Sequence, residues 1–262
     1  MENNKKVSRR KTHLLEIFFK REEWLIEKYL EETNLLDFNN QKIQELLIKL
    51  NLDDNNQLET IQKIYNYVKD EVKFGYNIDD KIKASKVLKD GYGQCNTKGI
   101  LLMALLRAKG VPCRIHGFMI DKLLQKGAMT GLVYKLAPKE VLHSYVEVYY
   151  NNKWYELEGF ILDNDYLNGL KTIVKPNPNK SFIGYGVATK DFENPTLYFN
   201  CCNTYIQKEG IVKDFGIYDN PDDLLLHHHQ NISFIKKLAY QFIGRKKMNH
   251  NVKKIRKLNK NK

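Results

Sequence analysis

Gly91-Tyr-Gly-Gln-Cys95 leads directly into residues 96–109, and this stretch decides the fold. The residues that follow the cysteine predict an amphipathic helix, because apolar side chains recur in them at helical spacing. These side chains are Leu101, Leu102, Leu105, Leu106 and Ala108. Gly110 and Pro112 are typical of the end of a helix. A glycine-rich turn therefore delivers Cys95 to the first turn of a helix.

Cys95 has two interpretations at this position. The start of a helix carries backbone N–H groups without acceptors and the positive end of the helix dipole. Both favour the thiolate, which is the nucleophilic form of cysteine. Alternatively, Cys95 is a small apolar side chain in the core, as many free cysteines are.

The composition is that of a globular protein, with 42% hydrophobic residues in a chain of 262. No apolar run approaches the roughly 18 residues of a transmembrane helix. The polar, basic start of the chain has no hydrophobic segment behind it, so we expect no secretory signal. The four cysteines form no paired framework, which favours a reducing, cytoplasmic location. They are Cys95, Cys113, Cys201 and Cys202.

The net charge of +12 lies at the two ends of the chain. Residues 1–12 hold five basic residues and one acidic residue, and residues 244–262 hold nine basic residues and no acidic one. The rest of the chain is close to neutral. We therefore interpret the ends as solvated basic tails that could touch nucleic acid or an anionic membrane, without expecting specific binding there.

The remaining pattern predicts an α+β protein with a helical arm. Helices are predicted over residues 13–33, 39–50 and 56–70. We divide the chain into a basic tail (1–12), an N-terminal helical arm (13–82), a core with a C-terminal helical segment (83–243) and a second basic tail (244–262). Within the core, residues 181–218 predict short strands and loops, and residues 221–243 predict helix. The segment after Gly244 predicts a frayed basic helix or a disordered tail.

Three strands are predicted after the cysteine helix, over residues 112–120, 141–150 and 153–158. Residues 121–140 form an excursion between the first two, with helical character near Leu123 and Leu124, and could determine specificity. Asn151-Asn152 suits a tight hairpin turn, since asparagine tolerates positive φ. The turn pairs Tyr150 with Lys153, and by extension Tyr145 with Glu158.

This register brings a histidine and an acid together. Side chains alternate along a strand, so His143 and Glu158 share one face and become diagonal neighbours at roughly 7–8 Å between backbones. Val146, Val148 and Leu157 lie on the other face, which we expect to be the core side. A carboxylate behind the imidazole would orient it as a base for a cysteine.

Three pieces, taken in order, resemble the transglutaminase-like superfamily, whose core has a papain-like fold. Gly93-Gln-Cys95 with Lys98 and residues 101–114 is similar to the cysteine helix of that family and its exit. His143-Ser-Tyr-Val-Glu-Val-Tyr149 is similar to its histidine strand, and Lys153-Trp-Tyr-Glu-Leu-Glu158 to its tryptophan-then-acid strand. The resemblance covers about residues 83–165. It implies a nucleophile helix packed on an antiparallel sheet.

The resemblance also implies site residues. Cys95 matches the nucleophile and His143 the base, while Glu158 stands where the family usually has aspartate. Glu156 is a weaker candidate for the acid, and either glutamate could instead be an exposed charge on the strand. The Cys95 backbone N–H would bind the oxyanion, and a second donor is sought among the polar side chains nearby. The candidates are Tyr76, Tyr92 and Gln94.

The implied chemistry is acyl transfer through a thioester on a peptide or carboxamide substrate, without a metal or cofactor. We expect a hydrolase or protease rather than a cross-linking transglutaminase. The alternative is a catalytically silent binding module, which predicts that His143 is distant from the Cys95 sulfur or that the sulfur is closed off. His227-His-His229 is expected to be a solvated loop or helix start, because three consecutive residues do not converge on one metal ion.

Overall fold

The computed structural model describes residues 26–53, 55–177, 179–229 and 234–259. Helices and sheets both contribute, and the α+β class is confirmed. The helices are α1 (Gln41–Lys49), α2 (Gln57–Asn66), α3 (Ala84–Asp90), α4 (Cys95–Ala108), α5 (Gly131–Leu136), α6 (Asn164–Ile173), α7 (Pro221–His227), α8 (Phe234–Ala239) and α9 (Arg245–Leu258). The strands are β1 (Lys73–Phe74), β2 (Tyr92–Gly93), β3 (Cys113–Asp121), β4 (Glu140–Tyr150), β5 (Lys153–Leu157), β6 (Phe182–Gly184), β7 (Val187–Thr189) and β8 (Ile211–Tyr218).

The central sheet has four antiparallel strands in the order β5-β4-β3-β8. The predicted hairpin register is confirmed from Tyr150–Lys153 to Val146–Leu157. Asn151 and Asn152 have φ values of 48° and 59°, as the tight turn requires. Strand β5 ends one residue before Glu158, so the first half of β4 has a partner strand on one side only, namely β3.

Helix α4 lies across the sheet and is buried on all sides, not on one face as its apolar spacing predicted. Every residue from Cys95 to Arg107 is buried. The buried Lys98 side chain in this helix is satisfied by backbone: its ammonium donates to the carbonyls of Lys69 and Ile161, at 3.1 Å each. Burial lowers the pKa of Lys98 to about 7. The cysteine helix is therefore the centre of the core.

The second face of the sheet is also covered, although the sequence pattern suggested that only one face meets the core. A small apolar cluster packs there, formed by Phe118, Ile120, Leu124, Tyr145 and Ala188. The predicted excursion supplies part of this cover through a turn at Lys122–Gln125, and it continues into α5. Consequently His143, which belongs to this face, is only 1% exposed.

The N-terminal helices join the same core as α4. Ile43 of α1 and Ile61 of α2 are fully buried in the cluster that contains Leu101. The helix predicted over residues 13–33 lies mostly outside the described residues, and its described part ends at Leu30, because the chain is extended from Glu31. Across the described ranges no helix is long and apolar enough to cross a bilayer.

The basic segment after Gly244 is not a solvated tail, and that expectation is wrong for residues 245–258. These residues form α9, which packs on α6 through Met248, Val252 and Ile255. A Cβ at Gly169 would collide with the backbone carbonyl of Ile255, so the two helices lie in close contact. A frayed basic helix was one of the two alternatives for this segment, but the dense charge concealed that its apolar face packs on the core. The tail predicted at residues 1–12 lies outside the described residues.

Arg256 fastens α9 to the core through a buried carboxylate. Its guanidinium makes two hydrogen bonds to Asp163, at 2.7 and 2.9 Å, and Asp163 is fully buried. Burial alone raises the pKa of this carboxyl group, but the hydrogen bonds and charge of Arg256 outweigh burial and lower it. The contribution of the pair to stability is therefore lost only when the pH falls below the ordinary range of an aspartate.

We expect Arg256→Ala to lower the free energy of unfolding by about 3–5 kcal/mol, because the buried Asp163 carboxylate loses its ion-pair partner and keeps only the backbone N–H groups of Phe74 and Tyr166 as hydrogen-bond donors. Urea denaturation at neutral pH measures this loss. Lys254→Ala, an exposed position on the same helix, is the matched control and should change stability by less than about 0.5 kcal/mol. Equal effects of the two variants would contradict a specific role for the Arg256–Asp163 pair.

Candidate active site

Cys95 is the first residue of α4, where the chain turns sharply out of β2. The turn needs glycine, because a Cβ at Gly93 would lie 2.7 Å from Thr97 Oγ1 and 2.9 Å from Lys98 Cγ. Thr97 Oγ1 in turn accepts a hydrogen bond from the Gln94 backbone N–H, at 3.0 Å. The Cys95 residue is 9% exposed and lines a cavity.

Asn96 holds the helix start against the strand that carries His143. Its Nδ2 donates to the carbonyl of Leu142 at 3.4 Å, and its Oδ1 accepts from the Ser144 hydroxyl at 2.8 Å. These two residues flank His143. The contact is possible because β5 has already ended, which leaves this edge of β4 without a neighbouring strand. Cys95 is therefore held next to His143.

Glu158 lies behind the imidazole and is 1% exposed. Its Oε2 accepts from the backbone N–H groups of Ile206 and Gln207, at 2.8 Å each. The other oxygen, Oε1, lies 3.7 Å from His143 Nε2. One carboxylate oxygen of Glu158 is thus bound by backbone N–H groups, and the other faces the imidazole. The alternative that Glu158 is an exposed charge on the strand is therefore wrong.

Glu156, the weaker candidate for the acid, lies elsewhere. Its carboxylate accepts a hydrogen bond from the Tyr205 hydroxyl at 2.6 Å and lies 3.9 Å from the Lys208 ammonium. The two glutamates therefore have different partners, and Glu158 is the one that lies beside His143.

The electrostatics of His143 reflect its two neighbours. Burial by itself lowers the pKa of an imidazole, but the charge and proximity of Cys95, followed by those of Glu158, raise the pKa of His143 to about 9. Both ring nitrogens and Glu158 Oε1 are nevertheless without a regular hydrogen bond to the described residues. The contacts within this group are thus electrostatic and longer than ordinary hydrogen bonds.

A cavity of about 740 Å³ opens onto Cys95 and His143. Two of the three candidate oxyanion donors line it, namely Tyr76 and Gln94. The Tyr76 hydroxyl donates to Gln125 Oε1 at 2.5 Å, so its only proton is engaged. Gln94 Nε2 donates to Asp80 at 2.9 Å, and a carboxamide has a second N–H to offer.

Tyr92, the third candidate, is not among the residues that line the cavity. Its hydroxyl accepts a hydrogen bond from Arg245 at 3.2 Å, on helix α9. The structure therefore brings Cys95, His143, Glu158, Tyr76 and Gln94 to one place and leaves Tyr92 apart from them.

Three further polar residues at this site were not predicted from the sequence: Asn96, Asp80 and Gln207. Asn96 had a signal, since it is a polar residue directly after the predicted nucleophile inside an apolar helix. Asp80 belongs to a loop that looked ordinary, and burial raises its pKa. Gln207 lies far along the chain, and its role comes from a backbone N–H, which no side-chain pattern reveals.

The histidine run has separate partners. His227 Nδ1 lies 2.8 Å from the carbonyl oxygen of Asp223, His228 stacks on Phe215 at 3.8 Å between ring centroids, and His229 lines the cavity. Within the described ranges no group of His, Cys, Asp and Glu side chains could hold a metal ion. The four cysteines are all free thiols.

The sequence matches the model of a known protein family. The transglutaminase-like superfamily model matches residues 45–159, a segment that begins in α1 and ends just after Glu158. Residues 45–159 belong to the transglutaminase-like superfamily. The resemblance inferred from the three motifs is thereby confirmed, and the matched segment includes Cys95, His143 and Glu158.

Among solved structures, the chain is similar to a candidate cysteine protease of Cytophaga hutchinsonii. The identity is 16%, the match covers 76% of this chain and 48% of the other protein, and the TM-score is 0.42. The chain thus spans about half the length of that protein. No curated protein matches the sequence.

We expect the His143 ring to titrate near pH 9, because its interactions with Cys95 and Glu158 favour its protonated form in the fold. Since this pKa lies above the ordinary value of 6.5, the stabilisation is complete below that value and is lost as the pH rises through about 9. NMR titration of the ring measures the pKa directly. Cys95→Ala and Glu158→Gln should each lower it.

Cys113→Ala is the matched control for this titration. Cys113 is a buried cysteine on β3 whose sulfur faces the carbonyl of Met103, and its removal should leave the His143 titration unchanged. A wild-type His143 that titrates at the ordinary value for histidine would contradict the proximity of the charges.

Proposed function

We propose that this transglutaminase-like chain is a cysteine-dependent acyl-transfer enzyme that acts on peptide or carboxamide bonds. The observation that supports this most strongly is the buried carboxylate of Glu158, which lies behind an imidazole that in turn adjoins a helix-start thiol. Buried charges are costly unless paired, so such an arrangement needs a reason. Activation of a nucleophile is a sufficient one.

The reaction begins with the thiolate of Cys95 attacking the carbonyl carbon of the bound substrate. A C–S bond forms, and the carbonyl π electrons move to oxygen. His143, protonated through the pairing described above, then gives its proton to the leaving amine as the C–N bond breaks. The product is an acyl-thioester on Cys95. Because Nε2 of His143 faces Glu158, its other nitrogen, Nδ1, is the one assigned to the proton transfer.

The oxyanion requires donors at the start of α4. The Cys95 backbone N–H is the first of the helix and has no acceptor within the helix. We assign the second donor to the side chain of Gln94, which lines the cavity and has one N–H beyond that given to Asp80. Tyr76 is disfavoured for this role, because its proton is already donated to Gln125.

The thioester is then resolved by an acceptor. We propose water as this acceptor, with His143 removing its proton, so that the enzyme is a hydrolase or protease rather than a cross-linking transglutaminase. The alternative function is a silent binding module, which predicts a sulfur that the fold closes off. Cys95 lines the cavity, and this supports the enzyme.

The first test is the covalent intermediate. Intact-mass spectrometry after mixing with p-nitrophenyl acetate and with glutamine-containing peptides should show acylation of the wild type, followed by turnover. Cys95→Ala should show neither, while Cys113→Ala should behave as the wild type. Incorporation of a fluorescent amine in place of release of free acid would overturn the choice of water. Acylation of the Cys95→Ala variant would contradict the assignment of Cys95 as the nucleophile.

The second test concerns the acid. We expect Glu158→Gln to lower kcat by about 10²–10⁴-fold, because a neutral amide no longer stabilises the imidazolium. Glu156→Gln is the matched control: it is a similar change two residues earlier, on an acid held by Tyr205, and should retain near-normal turnover. If both variants lose activity equally, Glu158 has no special role beside His143.

A further inference from the structure

Exposed aliphatic side chains are concentrated around the cavity that contains the thiol. Five of them line it, with between 46% and 69% of their surface exposed. They are Ile78, Leu132, Leu136, Leu226 and Ile243. Single exposed aliphatic residues are ordinary on a protein surface, whereas a group gathered around one concavity marks a binding site.

Two segments of the chain form the apolar walls of the groove. Leu132 and Leu136 come from α5, which lies within the excursion at residues 121–140. Leu226 of α7 and Ile243 of the π-helical segment Tyr240–Gly244 come from the C-terminal part of the chain. Both walls are additions to the strands and helix that carry the candidate site. An occupant of this groove therefore touches apolar groups while its reacting bond lies at the thiol.

Charged side chains interrupt the apolar lining. Asp79 pairs with Lys237 at 2.8 Å, and Asp80, Lys81 and Lys247 also line the groove. A hydrocarbon chain would leave these charges facing apolar surface, which is unfavourable. A peptide suits the mixture better, because its backbone amides and carbonyls can meet polar groups while its side chains fill the apolar places.

The size of the groove also favours a peptide as its occupant. A volume of about 740 Å³ lies in the upper part of the range for ligand sites, about 300–1,000 Å³, and exceeds what one side chain fills. The groove is therefore large enough for residues on both sides of the bond that is attacked.

We propose that the substrate is a peptide segment with bulky aliphatic side chains next to the residue that acylates Cys95. Residues of α5, chiefly Leu132 and Leu136, select these side chains. The proposal rests on the proposed function for the place of the reacting bond, but the binding of the aliphatic side chains can be measured without catalysis.

The experiment uses the full chain carrying Cys95→Ala, so that binding is separated from reaction. Two fluorescein-labelled pentapeptides serve as probes, Ala-Leu-Gln-Leu-Ala and Ala-Ser-Gln-Ser-Ala, and their affinities are measured by anisotropy. We expect the leucine peptide to bind at least about tenfold more tightly, by the usual discrimination of an apolar pocket. Leu132→Ser and Leu136→Ser, added singly, should each reduce this preference severalfold.

Ile48→Ser provides the matched control, since Ile48 is 80% exposed on α1 and does not line the groove. It should leave the preference unchanged. Equal affinity for the two peptides would overturn the proposal, as would an equal loss with Ile48→Ser and Leu132→Ser. Tighter competition by dodecanamide than by the leucine peptide would assign the groove to a lipid chain and overturn it too.

The two proposals fail in different ways. If the wild type is not acylated but Cys95→Ala still prefers the leucine peptide, the proposed enzymatic activity is contradicted and the proposed peptide-binding groove is supported. If the wild type turns over both peptides with equal kcat/KM, the proposed enzymatic activity is supported and the proposed preference for aliphatic side chains is contradicted.

Discussion

A carboxylate placed almost entirely out of water must be compensated, and in this protein the compensation of Glu158 organises the site. Two backbone N–H groups bind one of its oxygens, and the imidazole of His143 lies near the other. The backbone groups belong to residues 206 and 207, nearly fifty positions further along the chain. The charge therefore ties the hairpin to a distant loop, and this loop must be folded before the histidine has its acid.

Contacts with distant residues also fix the position of the helix that carries Cys95. Because α4 is buried on every side, the helix cannot shift without disturbing the core. Asn96 in its first turn makes hydrogen bonds to Leu142 and Ser144, the residues that flank His143. The free edge of β4 makes this contact possible, since a longer β5 would occupy the same place. The length of one strand thus decides whether thiol and imidazole can adjoin.

Glutamate in place of aspartate is consistent with this arrangement. Glu158 lies one residue beyond the last paired residue of β5, and its longer side chain spans from there to the two N–H groups and the histidine. Gly159 follows in a crowded place, where a Cβ would lie 2.7 Å from the Tyr65 hydroxyl and 2.8 Å from the Leu197 carbonyl oxygen. A larger residue would not fit there, so the backbone next to Glu158 is closely packed.

Local signals allowed much of this to be predicted. The helix after Cys95, the strands around Asn151-Asn152 and the hairpin register depend on neighbours within a few residues, so spacing and turn chemistry determined them. The order of the three motifs determined the family. The tertiary structure alone decided what depends on distant contacts: that α4 is buried all round, that residues 245–258 pack on α6, and that Gln207 and Asn96 hold the site. The physical reason is that burial and hydrogen-bond partners belong to pairs of residues far apart in the chain, whereas a sequence pattern reports only the preferences of each segment by itself.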